Sequence, residues 1–176
     1  PVVLKGDAGI YCFKPVAGAS DIDVPVDFSA MGFENAADLT THTVGSVSLT
    51  FSKATGQSSP KYYVSGSAAR IYKGNTLRIQ APKPITKIVF NFNGNNTPNA
   101  DDTFSEGSYD ANTKTWTGST TDLTFTKATS GQVHIKTMTI AYEGEAGEVP
   151  NIVGNVLKGA DEDIDAAGKY VLAKPE

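Results

Sequence analysis

Gly45 to Lys53 reads GSVSLTFSK, and its alternation decides the fold class. Val47, Leu49 and Phe51 fall on one face of an extended chain. Ser46, Ser48, Thr50 and Ser52 fall on the other, because successive strand side chains point to opposite sides. The same period of two recurs outward from this stretch. In Asn75 to Ala81 (NTLRIQA), Leu77 and Ile79 alternate with Thr76, Arg78 and Gln80. Lys87 to Asn93 (KIVFNFN) aligns Ile88, Phe90 and Phe92, and Asp122 to Lys127 (DLTFTK) aligns Leu123 and Phe125. Half-buried antiparallel strands carry this pattern, apolar inward and hydroxyl-bearing outward. Gly, Pro and Asn clusters between the runs supply the turns.

Gln132 to Glu143 (QVHIKTMTIAYE) changes phase: Val133 and Ile135 are odd, Met138, Ile140 and Tyr142 even. One extra residue near Lys136 or Thr137 restores a common apolar face, so the phase predicts a β-bulge there. Helix signals are short. Phe33 to Leu39 (FENAADL) and the later ADEDIDAAG each suit one turn, neither long enough to stand without packing. The expected fold is all-β, an antiparallel two-sheet sandwich with jelly-roll topology, an immunoglobulin-like order being the alternative.

The two ends echo one another. VVLKGDAGIYCFKP (Val2 to Pro15) returns as NVLKGADEDIDAAGKYVLAKP (Asn155 to Pro175), each with an apolar-Leu-Lys-Gly start and an aromatic-bearing close. We expect a sandwich over residues 27–143. Residues 1–26 and 144–176 are expected to be paired terminal hairpin arms forming a small accessory sheet. The alternative takes the ends as stray strands of neighbouring domains. The chain opens at Pro1, which reads as a processed or excised fragment.

Composition narrows the function. Fifteen basic against nineteen acidic residues give a net charge of −4 without a Lys/Arg cluster, which argues against nucleic acid. No apolar run approaches the roughly 18 residues of a membrane-spanning helix, so no membrane insertion is expected. Cys12 stands alone between aromatic and apolar neighbours and reads as a buried small side chain. One Cys and two separated His residues cannot complete a tetrahedral zinc site.

No nucleophile elbow, zinc-binding His pair or phosphate loop is present, so no enzyme is read here. His42 and His134 lie in strands and read as solvent-facing or hydrogen-bonded residues. Asp21, Asp23 and Asp27, the Asn93 to Asp102 stretch and ADEDIDA offer the hard oxygens calcium favours, yet without the spacing of a calcium loop. Solvated turns explain them, so no cofactor is expected beyond a conceivable structural calcium. The aromatics are more informative. Sugars bind flat rings through their C–H faces, with amides and guanidinium groups bonding their hydroxyls. Tyr62, Tyr63, Tyr72, Tyr109 and Trp116 are candidates for such a platform, core or edge packing being the alternative for each. Tyr62, Tyr63, Tyr109 and Trp116 form the expected ligand site, with Arg70 and Asn91 as polar helpers.

KYYVSGSAARIYKGNTLRIQAP (Lys61 to Pro82), ITKIVFNF, TWTGS, LTFT and IKTMTIAY together resemble a recurrent jelly-roll-like module of secreted and surface proteins from gut-type Gram-negative anaerobes. The ends resemble a small VLKG…Y module from such proteins, which the larger module would interrupt. The resemblance implies an extracellular or cell-surface location and polysaccharide or glycan binding without catalysis. The other function class is a structural or adhesive segment, whose strand edges would contact neighbouring domains.

Overall fold

The computed structural model describes residues 3–6, 9–15, 20–144, 163–164 and 170–173, the side chains only within 20–144. All the strands are antiparallel: β1 (Val3–Gly6), β2 (Gly9–Pro15), β3 (Ile22–Asp27), β4 (Thr41–Val44), β5 (Val47–Ser52), β6 (Lys61–Tyr63) and β7 (Ala68–Tyr72), then β8 (Thr76–Phe92), β9 (Thr103–Phe104), β10 (Ser108–Asp110), β11 (Thr115–Thr126), β12 (Gln132–Tyr142), β13 (Asp163–Ile164) and β14 (Tyr170–Ala173). Among the described residues there is no α-helix, only a 3-10 turn at Phe28–Met31. Asp27 caps that turn by accepting the Ser29 N–H at 2.9 Å.

The chain divides into two compact units, Asp21–Glu143 and a smaller one drawn from both ends. The smaller unit is a four-stranded sheet in the order β1-β2-β14-β13, with Phe13 in register with Leu172 along the β2–β14 ladder. The side chain of Cys12 and most of the acidic ADEDIDA stretch lie outside the described residues; β13 occupies Asp163–Ile164, where a helical turn was expected.

β8, 17 residues long, shapes the larger unit. β11 runs along one of its edges from Thr126↔Thr76 to Thr115↔Val89. Its other edge is shared: Thr76 to Gln80 pairs with β5, and Ile85 to Phe92 pairs with β12. The handover falls at Pro82 and Pro84, which have no N–H to give a ladder. The register with β11 slips there, between Thr117 and Thr120 and again before Asp122. The result is one ten-stranded sheet curled into a half-barrel. This replaces the two separate stacked sheets expected, because β8 and β11 run through both halves.

The apolar faces read from the sequence line the interior. Val47, Leu49, Leu77, Ile79, Ile88, Leu123, Val133, Ile135 and Ile140 are all buried. The register of β12 against β8 slips between Ile135 and Thr137, so Lys136 is the extra residue that brings both phases inward. The sheet begins earlier than position 27: Ile22–Asp27 pairs with β12, Tyr142 opposite Ile22. Phe33 to Leu39 forms no helix. Its backbone is taken by β6 instead, Ala36 N–H donating to Tyr62 O at 2.8 Å and Leu39 N–H to Pro60 O at 2.9 Å.

Candidate functional site

Three turns gather at one end of the half-barrel: residues 53–58 after β5, Lys73 to Asn75 between β7 and β8, and 127–131 between β11 and β12. Asn75, fully buried, holds the first two together. Its Oδ1 accepts the Tyr72 N–H at 2.9 Å, and its Nδ2 donates to Lys53 O at 3.1 Å and Ser58 O at 2.8 Å. The third turn is tied in by backbone bonds, Gly74 N–H to Lys127 O at 2.7 Å and Lys127 N–H to Asn75 O at 3.0 Å. Gly74 has φ +82°, and a Cβ there would lie 2.6 Å from the Gly56 nitrogen, so the close approach of these turns requires glycine.

Beneath them sits a fully buried ion pair. Lys127 Nζ donates to Asp102 Oδ2 at 3.0 Å, to Thr129 Oγ1 at 2.7 Å and to Ser130 O at 3.3 Å. The carboxylate also accepts N–H groups of Asn99 at 2.7 Å and Ala128 at 2.9 Å. Burial works to raise the Asp102 carboxyl, but the Asn99 N–H, the Lys127 ammonium and the Thr129 N–H outweigh it and hold it below the usual carboxylate value.

 Over this frame lies a cleft of ≈ 740 Å³. A second cleft of similar size, ≈ 760 Å³, lies between β3 and β4. The two carry different groups on their walls. Residues lining the turn-end cleft include Thr55, Ser58, Tyr72, Thr126 and Ser130 with hydroxyls, Gln57 and Gln132 with amides, and Lys73. Residues lining the β3–β4 cleft include Val26, Met31, Phe33, Val44 and Met138 together with Asp27, Thr43, Thr137 and Thr139, and Phe33 lies edge-on to His42 at 4.7 Å. Burial holds His42 below the usual imidazole value. Both walls are mixed; in the first cleft the polar groups are hydroxyls, amides and an ammonium set around the Tyr72 ring, an arrangement that suits a ligand rich in hydroxyls.

The outward face of β6, β7 and β12 continues the turn-end cleft. Tyr72 and Gln132 are directly opposite one another, and Arg70 is opposite both Lys61 and His134. The Arg70 guanidinium lies 4.0 Å over the Tyr63 ring, and one of its N–H groups donates to Ser65 O at 3.2 Å. His134 Nε2 and Gln132 Oε1 are 2.6 Å apart, the ring nitrogen donating when it carries its proton there. Burial, then the charge of Arg70, holds His134 below its usual value. The Tyr72 hydroxyl is pushed up to about 12, first by burial and then by the neighbouring Tyr63 hydroxyl.

The platform expected from the sequence is not assembled. Trp116 is fully buried, its indole N–H donating to Glu106 O at 2.7 Å, so it presents no face to a ligand. A Cβ on Gly118 would lie 2.5 Å from Trp116 Cζ2; the Trp-x-Gly spacing is therefore a packing device. Tyr62 also points inward, 5.5 Å from Phe33 between ring centres. Tyr109 is half-buried and stacked on Phe104 at 5.3 Å, beside a smaller cleft of ≈ 410 Å³. Its hydroxyl is buried with no hydrogen-bond partner, and burial, then the charge of Asp110, pushes it up to about 12. Asn91 is exposed opposite Thr137 and lines none of these clefts. Tyr63 and Arg70 do come together, beside Tyr72.

Lys127, Asn75, Lys73 and Gln132 were not among the expected site residues. Lys127 shares the parity of Leu123 and Phe125, an inward-facing signal, although its partner Asp102 lies 25 residues away. Among the described residues no group of three or more His, Cys, Asp or Glu side chains is gathered to hold a metal ion. Asp27 and Asp102, from the stretches considered for calcium, instead cap the 3-10 turn and pair with Lys127. Set against protein-family models, curated proteins and solved structures, the chain matches none.

Proposed function

We propose that the chain is a non-catalytic, extracellular carbohydrate-binding module whose ligand occupies the turn-end cleft. The observation that carries this reading is the lining itself: hydroxyls, amides and the Tyr72 ring around ≈ 740 Å³. That mixture suits a sugar, which offers hydroxyls around its rim and C–H groups on its faces. The lining holds no carboxylate, imidazole or thiol to serve as acid, base or nucleophile, which favours binding over turnover. The half-barrel would be a merged form of the expected jelly-roll sandwich, its layers joined through β8 and β11. Secretion or surface attachment follows from the family resemblance and belongs to the same proposal.

Affinity gel electrophoresis of the full chain against a panel of plant and host polysaccharides tests the reading. At least one polysaccharide should retard the protein, and Tyr72→Ala should abolish the shift while the protein stays folded. No retardation by any of them would remove the proposal. The adhesive alternative has less support, because three edge strands of the larger unit are guarded. β6 is covered by the backbone of residues 36–39, β3 carries Pro25, and β10 is only 3 residues long. Light scattering that showed concentration-dependent assembly would revive it.

A further inference from the structure

The turn-end cleft carries charge of one sign. Lys73 is exposed at its edge and, among the described residues, makes no ion pair or side-chain hydrogen bond. No Asp or Glu lines the cleft, and the carboxylate beneath it, Asp102, is spent on Lys127. Arg70, two positions along β7 from Tyr72, also lacks a carboxylate partner. Its guanidinium is engaged by the Tyr63 ring and Ser65 O, while its Nε–H is buried and unpartnered. On the same face the nearest acid by register is Asp38, already bound to Lys61 at 2.6 Å. Two cations without carboxylate partners, Lys73 lining the cleft and Arg70 two positions along β7 from its Tyr72, belong to a chain whose net charge is −4. A surface of this sign on a protein of the opposite sign favours an anionic guest locally and repels polyanions elsewhere.

We infer that the ligand of this cleft is an anionic carbohydrate, its carboxylate or sulfate held by Lys73 and its ring laid on Tyr72, with Arg70 adding positive potential. The inference rests on the carbohydrate-binding reading and narrows it to a substrate class. Charge-assisted hydrogen bonds to the anion supply the affinity that neutral hydroxyl contacts lack.

The test titrates the full chain with dextran, dextran sulfate, polygalacturonate and a single-stranded oligonucleotide, at low and high salt. Dextran sulfate or polygalacturonate should bind, and which of them does identifies sulfate or carboxylate. Dextran should not bind, and high salt should weaken the complex because the contacts are exposed to screening. Lys73→Gln, an exposed change expected to leave the melting temperature unaltered, should weaken anionic binding about tenfold or more. Equal, salt-insensitive binding of dextran overturns the inference and leaves the carbohydrate reading standing. An undiminished Lys73→Gln variant overturns it as well. An oligonucleotide binding as tightly as the polysaccharides defeats the sugar assignment, and failure of every glycan defeats both readings.

Discussion

Replacing Asp102 by Asn should be among the most damaging single changes in the larger unit. The Asp102 and Lys127 side chains are both fully buried. Asn99, Ala128 and Thr129 N–H groups and the Lys127 ammonium all point at the carboxylate. Asn turns one acceptor oxygen into a donor facing donors and leaves the ammonium without a counterion. Removing one partner of a buried pair costs about 3 to 5 kcal/mol. For a unit of this size that is a fall of about 10 to 20 °C in melting temperature. Lys127→Met should cost less, since the backbone N–H donors still satisfy the carboxylate. The assay is unfolding of the full chain followed by fluorescence of Trp116, the single Trp, which lies in this unit. The pH dependence gives a second reading. Asp102 is held below its unfolded value, so its stabilisation is complete above about pH 4 and is lost as pH falls through the folded value. Asp102→Asn should remove that acid-sensitive component. A loss below about 1 kcal/mol, with an unchanged acid profile, would refute the reasoning.

Other outcomes follow from the packing. Gly118→Ala presses a methyl against Trp116, whose ring atoms Cζ2 and Cη2 lie 2.5 and 2.7 Å from the new Cβ. A loss of about 1 to 3 kcal/mol and a shifted Trp emission are expected; an unchanged melt and spectrum would count against the packing described. Asn75→Ala strands the Lys53 and Ser58 carbonyls and the Tyr72 N–H, so about 1 to 3 kcal/mol should be lost in denaturant titrations. Deleting Lys136 should prevent folding, because it throws one half of β12 onto the wrong face, whereas Lys136→Ala should be tolerated. Soluble expression and circular dichroism of the two variants separate these outcomes.

The fold class was legible because period-two alternation is a local property. Val47, Leu49 and Phe51 needed no knowledge of their partners to be placed inside, and the phase break in QVHIKTMTIAYE was enough to locate the bulge. Curling was not legible. It depends on β8 giving one edge to two different strands, and pairing partners leave no mark on periodicity. The prolines at 82 and 84 were the one local trace of it. Trp116 and Tyr62 were misplaced for a related reason: an aromatic ring suits a core as well as a platform, and polar neighbours such as Thr115 and Thr117 are what a buried residue has on an alternating strand. Tyr63 and Arg70 are adjacent in space because β6 and β7 form a hairpin, a short-range pairing that the sequence could suggest. The cleft beside them needed three turns separated along the chain.

The pairing of Ile22 with Tyr142 has a topological consequence. The path into the larger unit and the path out of it are neighbours on adjoining strands, so the unit can be spliced into a surface turn of a host without prising that turn apart. By the same geometry, a circular permutant that links these two points and opens the DANTK hairpin tip, between Asp110 and Lys114, should keep the scaffold intact.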